Sequence, residues 1–106
     1  MLEKLRLPPS LFMLINPNRL EHLKTLYIGH NYIDDEGFAH LLRSPLQNLH
    51  VLRIADTDIT MKSLKLLENR KLNVLEHLDL AGLPLGNEGV EVLTKIDAKR
   101  LKILIL

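Results

Sequence analysis

The chain has 106 residues, enough for one domain with a modest hydrophobic core, and its 46% apolar and 25% charged content is typical of a folded globular protein. The net charge of +1 provides no strong field for binding phosphate backbones or anionic lipids, so nucleic acid and membranes are not expected as partners. The absence of cysteine excludes disulfides, thiolate zinc sites and a cysteine nucleophile.

The first predicted element is a short strand over residues 2–7, with the pattern Leu2-x-x-Leu5-x-Leu7. Charged residues between these leucines, followed by Pro8 and Pro9, do not fit a signal peptide, and no later stretch approaches the ~20 apolar residues of a membrane span. We therefore expect a cytoplasmic protein. A helix is predicted near residues 10–16.

The rest of the chain repeats one pattern with a period of 26 residues. Its three full copies are Leu23-x-x-Leu26-x-Ile28-x-x-Asn31-x-Ile33, Leu49-x-x-Leu52-x-Ile54-x-x-Thr57-x-Ile59 and Leu75-x-x-Leu78-x-Leu80-x-x-Leu83-x-Leu85, and a fourth starts at Leu101-x-x-Leu104-x-Leu106. The starts at 23, 49, 75 and 101 are evenly spaced without an insertion. Such self-similarity is the signature of a solenoid.

Each copy predicts a strand followed by a helix. The strands are expected near residues 23–28, 49–54, 75–80 and 101–106, and the helices near 35–43, 61–69 and 87–95. Strands joined by helices must run parallel, with right-handed crossovers. Period-2 alternation buries one set of strand residues, namely Leu26, Ile28, Leu52, Ile54, Leu78 and Leu80, and exposes Tyr27, Arg53 and Asp79 on the opposite face.

On these motifs the chain resembles the leucine-rich repeat family, and within it the ribonuclease-inhibitor-like subclass. The resemblance implies an α/β solenoid with parallel strands on the concave face and helices on the convex face. It implies a single domain over residues 1–106, with a shortened repeat 2–22, full repeats 23–48, 49–74 and 75–100, and a terminal strand 101–106. The family's turn asparagine is present only as Asn31, so the turn at Leu83 must satisfy its backbone groups in another way.

The acidic run Asp34-Asp35-Glu36 has two interpretations. Three carboxylates could supply oxygen ligands to a cation, but a position at a helix start without EF-hand spacing favours helix capping, and no metal site is predicted. Polar residues at 60–63 and 86–89 are likewise predicted to cap the starts of the next two helices.

Outward-facing residues of successive strands should form two rows across the concave face, where proteins of this family usually bind partners. One row contains Arg6, Tyr27, Arg53, Asp79 and Ile105, and the other contains Lys4, Thr25, Val51, His77 and Ile103. Tyr27 and Arg53 are the best candidate anchors, because aromatic and guanidinium groups dominate binding hot spots. The alternative is that Arg53 and Asp79 simply pair on a solvated sheet.

Nothing in the sequence predicts catalysis or a cofactor. His22, His30, His40, His50 and His77 lack zinc-binding spacing, no nucleotide-binding motif occurs, and the His77–Asp79 pair has no serine or cysteine on its strand face.

The sequence therefore predicts a protein-interaction module that binds an unidentified partner. Two alternatives stay open: an inhibitor or regulatory subunit of an enzyme, and a structural fragment of a longer solenoid. The strand 101–106 is apolar on both faces, with Leu104 and Leu106 expected to point to the helices and Ile103 and Ile105 outwards. We expect this edge to mediate self-association, most simply as an antiparallel homodimer.

Overall fold

The structure is a computed structural model that describes residues 4–5, 20–28, 33–44, 46–68 and 70–106. The described strands are β1 (Lys4–Leu5), β2 (Thr25–Tyr27), β3 (Val51–Arg53), β4 (His77–Asp79) and β5 (Ile103–Ile105). The described helices are α1 (Asp35–Leu41), α2 (Met61–Leu67) and α3 (Gly86–Leu93), close to three of the predicted ranges. The helix predicted near residues 10–16 lies outside the described residues.

The five strands form one parallel sheet in sequential order, β1-β2-β3-β4-β5, as predicted. From β2 onwards the pairing advances by one sequence period at each step, since Thr25 pairs with Val51, Val51 with His77, and His77 with Ile103. The leucine rows of the sequence are therefore physical columns that run across the sheet.

The strands are shorter than predicted, because the leucine that opens each repeat lies in a tight turn. Leu23 N–H donates to the Leu20 carbonyl at 3.0 Å, and Leu75 N–H donates to the Leu72 carbonyl at 3.2 Å. A backbone N–H used in this local bond does not pair with the neighbouring strand. Each of the last four strands is therefore three residues long.

The core lies between the sheet and the helices. The inward strand residues predicted to be buried, Leu26, Ile28, Leu52, Ile54, Leu78 and Leu80, are all at most 1% exposed. They share one apolar cluster with helix residues Phe38, Leu41, Leu64, Leu67 and Val92. All three described helices therefore cover the same side of the sheet, and we call the opposite side the outer sheet face.

The helices start in two different ways. Asp34 caps α1 by accepting a hydrogen bond from Gly37 N–H at 2.9 Å, and Thr60 caps α2 by accepting from Lys62 N–H at 3.3 Å. The prediction of a polar cap for α3 was wrong: its N-cap residue is Leu85, which makes no side-chain cap bond. No described helix is long and apolar enough to cross a bilayer.

The turns that follow the strands adapt to the residue at the asparagine position. Thr57 Oγ1 donates to the Ile54 carbonyl at 2.9 Å and accepts from Ile59 N–H at 3.4 Å. At Leu83 the backbone replaces the side chain, since Leu83 N–H donates to Leu80 and the Leu83 carbonyl accepts from Leu85 N–H. The prediction that this turn finds its hydrogen bonds elsewhere is confirmed.

Candidate protein-binding face

The strand register places the predicted outward residues in two rows on the outer sheet face. One row contains Tyr27, Arg53, Asp79 and Ile105, and the other contains Thr25, Val51, His77 and Ile103. Lys4 pairs with Thr25 in the register, which places it at the start of the second row. Arg6 lies outside the described residues.

The residues of the outer face in β2, β3 and β4 are half-buried, whereas Tyr27, Arg53 and Asp79 were predicted to be exposed. The Arg53 side chain is 40% exposed and the Asp79 side chain only 15%. Adjacent strands of a sheet are only about 4.8 Å apart, so large side chains in one row shield one another from solvent. Asp79 also turns towards the backbone, where its Oδ1 accepts from Ala81 N–H at 3.1 Å.

Arg53 is the centre of the first row. Its guanidinium carbon lies 5.2 Å from the centre of the Tyr27 ring, within the range of a cation–π contact. On the other side, Arg53 Nε is 3.9 Å from Asp79 Oδ2, an ion pair that is too long for a hydrogen bond. The guanidinium is thus oriented by both neighbours, and its Nε has no hydrogen-bond partner among the described residues.

His77 occupies the middle of the second row, paired in register with Val51 on one side and Ile103 on the other. Its Nε2 is enclosed and has no hydrogen-bond partner among the described residues. The two described serines, Ser44 and Ser63, are at most 1% exposed, and Ser63 lies in α2 against the apolar core. The described geometry therefore offers His77 no serine nucleophile.

The acidic run at the start of α1 has two separate roles. Asp34 caps its own helix, as predicted. The prediction that Asp35 does the same was wrong, because its carboxylate reaches the start of the next helix. Its Oδ1 accepts from Thr60 N–H at 2.8 Å and from Ser63 Oγ at 2.6 Å, while Oδ2 accepts from Thr60 Oγ1 at 2.5 Å.

These bonds determine the acidity of Asp35. Partial burial acts to raise the pKa of this carboxyl, but hydrogen bonds donated by Ser63 and Thr60 outweigh burial, and the pKa lies below its ordinary value. A carboxylate with three donors has little capacity left for a cation. Among the described residues, no group of three or more histidines and carboxylates is arranged to hold a metal.

Sequence reasoning missed this link between helices. Asp35 and Thr60 are 25 residues apart and Asp35 and Ser63 are 28 apart, so neither pair matches the period of 26. A search for hydrogen-bonding pairs displaced by one or two residues from the period would have found it.

The edge strand β5 differs from β2, β3 and β4 on both faces. Ile103 and Ile105 are 48% and 36% exposed on the outer face, as expected for outward residues. Leu104 and Leu106 were predicted to point towards the helices, and they are 44% and 61% exposed. They lie at the inward positions of the repeat, but no described helix follows β5 to cover them.

A small apolar cavity of about 60 Å³ opens under this edge, lined by Leu78, Leu93, Ile96, Ala98, Leu101 and Leu104. Apart from Ile96, its lining residues belong to the repeat columns that form the closed core in the preceding repeats. The core is therefore incomplete at the β5 end of the described structure.

Two segments of the chain, residues 19–39 and 71–93, match a family model described as Leucine Rich repeat. A search of curated proteins gave no significant match. The two segments fall in different repeats of the structure and support a leucine-rich repeat family for this chain. Together with the parallel sheet and the helix layer, they give the chain an α/β leucine-rich repeat fold.

Proposed function

We propose that this leucine-rich repeat chain binds a protein partner through the outer sheet face, with Tyr27 and Arg53 as its anchors. Leucine-rich repeat domains generally mediate protein–protein interactions and are typically non-enzymatic. The face proposed here comprises Thr25, Tyr27, Val51, Arg53, His77 and Asp79, and the sequence pattern adds Arg6, which lies outside the described residues. The observation that carries the proposal is the arrangement of Arg53 between Tyr27 and Asp79.

This arrangement suits recognition because it orients Arg53 without using all of its hydrogen-bonding capacity. A guanidinium held over an aromatic ring loses little conformational freedom when it binds, which reduces the entropic cost of association. Arg53 Nε is enclosed beside Asp79, but the Arg53 side chain as a whole is 40% exposed, so a partner's carboxylate or carbonyl oxygen could accept a hydrogen bond from the rest of the guanidinium. We expect the partner to present such an acceptor opposite Arg53.

The period also supports the ribonuclease-inhibitor-like subclass as part of this proposal. Each described repeat from residue 23 onwards combines a strand with an α-helix of seven or eight residues, and the register advances by 26 residues.

The test is affinity purification with the whole chain and matched single variants. Proteins retained by the wild type should be lost with Tyr27→Ala and with Arg53→Ala, each weakening binding by about tenfold or more, as expected of hot-spot residues. Lys62→Ala is the control, because Lys62 is exposed on α2 and therefore lies away from the outer face. A partner that binds both outer-face variants as tightly as the wild type would contradict the proposal.

A further inference from the structure

The outer edge of β5 has unpaired backbone groups at defined positions. Ile103 N–H donates to the Glu76 carbonyl at 3.0 Å, and the Ile105 carbonyl accepts from Leu80 N–H at 2.8 Å, so residues 103 and 105 face β4. Backbone groups alternate in direction along a strand, so both polar groups of Leu104 face away from β4. Within the described part of the chain, no strand pairs with that edge.

The equivalent groups of the preceding strands show what the edge lacks. The carbonyls of Lys24, His50 and Glu76 each accept two N–H groups from the next strand, and the N–H groups of Ile28, Ile54 and Leu80 each donate to it. One period later these positions are the Lys102 carbonyl and the Leu106 N–H. The open edge therefore presents four groups: the Lys102 carbonyl, the Leu104 N–H and carbonyl, and the Leu106 N–H.

Antiparallel pairing of two β5 strands about Leu104 satisfies all four groups at once. Leu104 exchanges both of its hydrogen bonds with Leu104 of the second copy, and the Lys102 carbonyl accepts from the second copy's Leu106 N–H. The same register places Ile103 directly opposite Ile105, a pair of β-branched side chains that stabilises a sheet, and no like charges face each other. The edge is thus complementary to itself, which is the requirement for a twofold interface.

The side chains on the outer face favour a second copy over a further repeat. Strands β2, β3 and β4 each carry at least one polar or charged residue on the outer face, whereas β5 carries two isoleucines. A further repeat would pair the edge and cover Leu104, but it would give no reason for two aliphatic residues on the outer face. Pairing with β5 of a second copy accounts for both the unpaired edge and the two isoleucines on the outer face.

We propose that two copies of this chain associate through β5 as a twofold antiparallel pair that joins their sheets into one. This interface is separate from the proposed partner anchors, Tyr27 and Arg53, which lie on β2 and β3.

Sedimentation of the whole chain across a range of concentrations tests the proposal. The wild type should pass from monomer to dimer as concentration rises. The double change Ile103→Lys and Ile105→Lys places lysines opposite one another across the pair, so the dissociation constant should rise by at least about tenfold. Leu66→Lys is the matched control, because Leu66 is an exposed leucine on α2 and should leave association unchanged.

A wild type that stays monomeric at every concentration would overturn the proposal. Association that continues past the dimer would also overturn it. A twofold interface stops at two copies, whereas pairing of β5 with a different edge of the next copy would continue to add copies. Equal association by the wild type and the double lysine variant, with circular dichroism showing that both are folded, would exclude β5 as the interface.

A cross-link tests the register even if the lysine variant fails to fold. The chain has no cysteine, so Leu104→Cys introduces a single thiol. Directly opposite residues of a hydrogen-bonded antiparallel pair have Cα atoms about 5.5 Å apart, within the range of a disulfide. Mild oxidation should convert this variant to a covalent dimer and leave Leu66→Cys as monomer; equal cross-linking of the two would contradict the proposed register.

Discussion

The inner repeats and the β5 end of the molecule place the same residue columns in opposite environments. Phe38 and Leu64 are fully buried, whereas Val90, one period later, is 50% exposed. Leu52 and Leu78 are each 1% exposed, whereas Leu104 is 44% exposed. Because the residues in a column are alike, the difference arises from the repeat that follows. In this fold, burial depends on the next repeat as much as on hydrophobicity.

The junctions between helices show a second contrast. Between α1 and α2, the Asp35 carboxylate accepts three hydrogen bonds from Thr60 and Ser63. Between α2 and α3, the ion pair of Lys65 with Glu88 at 3.4 Å has side chains that are 53% and 63% exposed. Exposed ion pairs contribute little to stability, so the first junction should be the stronger one.

The largest effect is expected from truncating a leucine of the inner column. Leu52→Ala removes a buried side chain and leaves a cavity, which should lower the free energy of unfolding by about 2–5 kcal/mol. Leu104→Ala removes an equivalent but half-exposed side chain and should cost less than about 1 kcal/mol in the monomer. Urea denaturation of both variants at low concentration measures the difference, and equal losses would refute the contrast between inner and edge repeats.

A smaller effect is expected at the first helix junction. Asp35→Ala leaves Thr60 N–H and Ser63 Oγ without their acceptor, which should lower the free energy of unfolding by about 1–3 kcal/mol. The control is Glu36→Ala, since Glu36 is exposed beside it and should change stability by no more than about 0.5 kcal/mol. If the two variants prove equally stable in urea, the carboxylate does not join the helices.

The same junction should make stability depend on pH in acid. The pKa of Asp35 is lowered in the folded state, so the stabilisation is fully present above the ordinary aspartate pKa of about 3.9 and is lost as pH falls through the lower folded-state pKa. Asp35→Asn cannot titrate at this position. Between about pH 5 and pH 2 its free energy of unfolding should fall less steeply than that of the wild type, and parallel curves would contradict this assignment.

The smallest effect is expected at the second junction. Lys65→Ala removes only an exposed ion pair and should change the free energy of unfolding by no more than about 0.5 kcal/mol. The same urea measurement checks it. A loss as large as that of Asp35→Ala would show that the two junctions are equally strong.

The sequence predicts the architecture well because one period governs both chain and structure. The parallel order, the register and the buried strand residues from Leu26 to Leu80 all follow from leucine spacing and alternation. The cap of α3 was mispredicted because polar residues near a helix start do not reveal which residue occupies the cap. For Leu104 and Leu106 the column pattern predicts the direction in which each side chain points, but their exposure depends on whether a following helix covers them.

The candidate binding face was predictable in position but not in detail. Strand alternation places Tyr27, Arg53 and Asp79 in one row, as the register of the structure shows. The distances within the row, and the turn of Asp79 towards Ala81, depend on side-chain conformation, which the sequence pattern does not encode. The partner-binding role of these residues stays a prediction.

Hydrogen exchange at Leu52, Leu78 and Leu104 tests the central contrast most directly, because these residues occupy one column and their N–H groups all point away from the preceding strand. We predict slow exchange at Leu52 and Leu78 at every protein concentration, and fast exchange at Leu104 in dilute solution that slows as the chain dimerises. Leu104 exchange as slow as that of Leu78 in dilute solution would contradict the open edge, and fast exchange unaffected by concentration would contradict its pairing with a second copy.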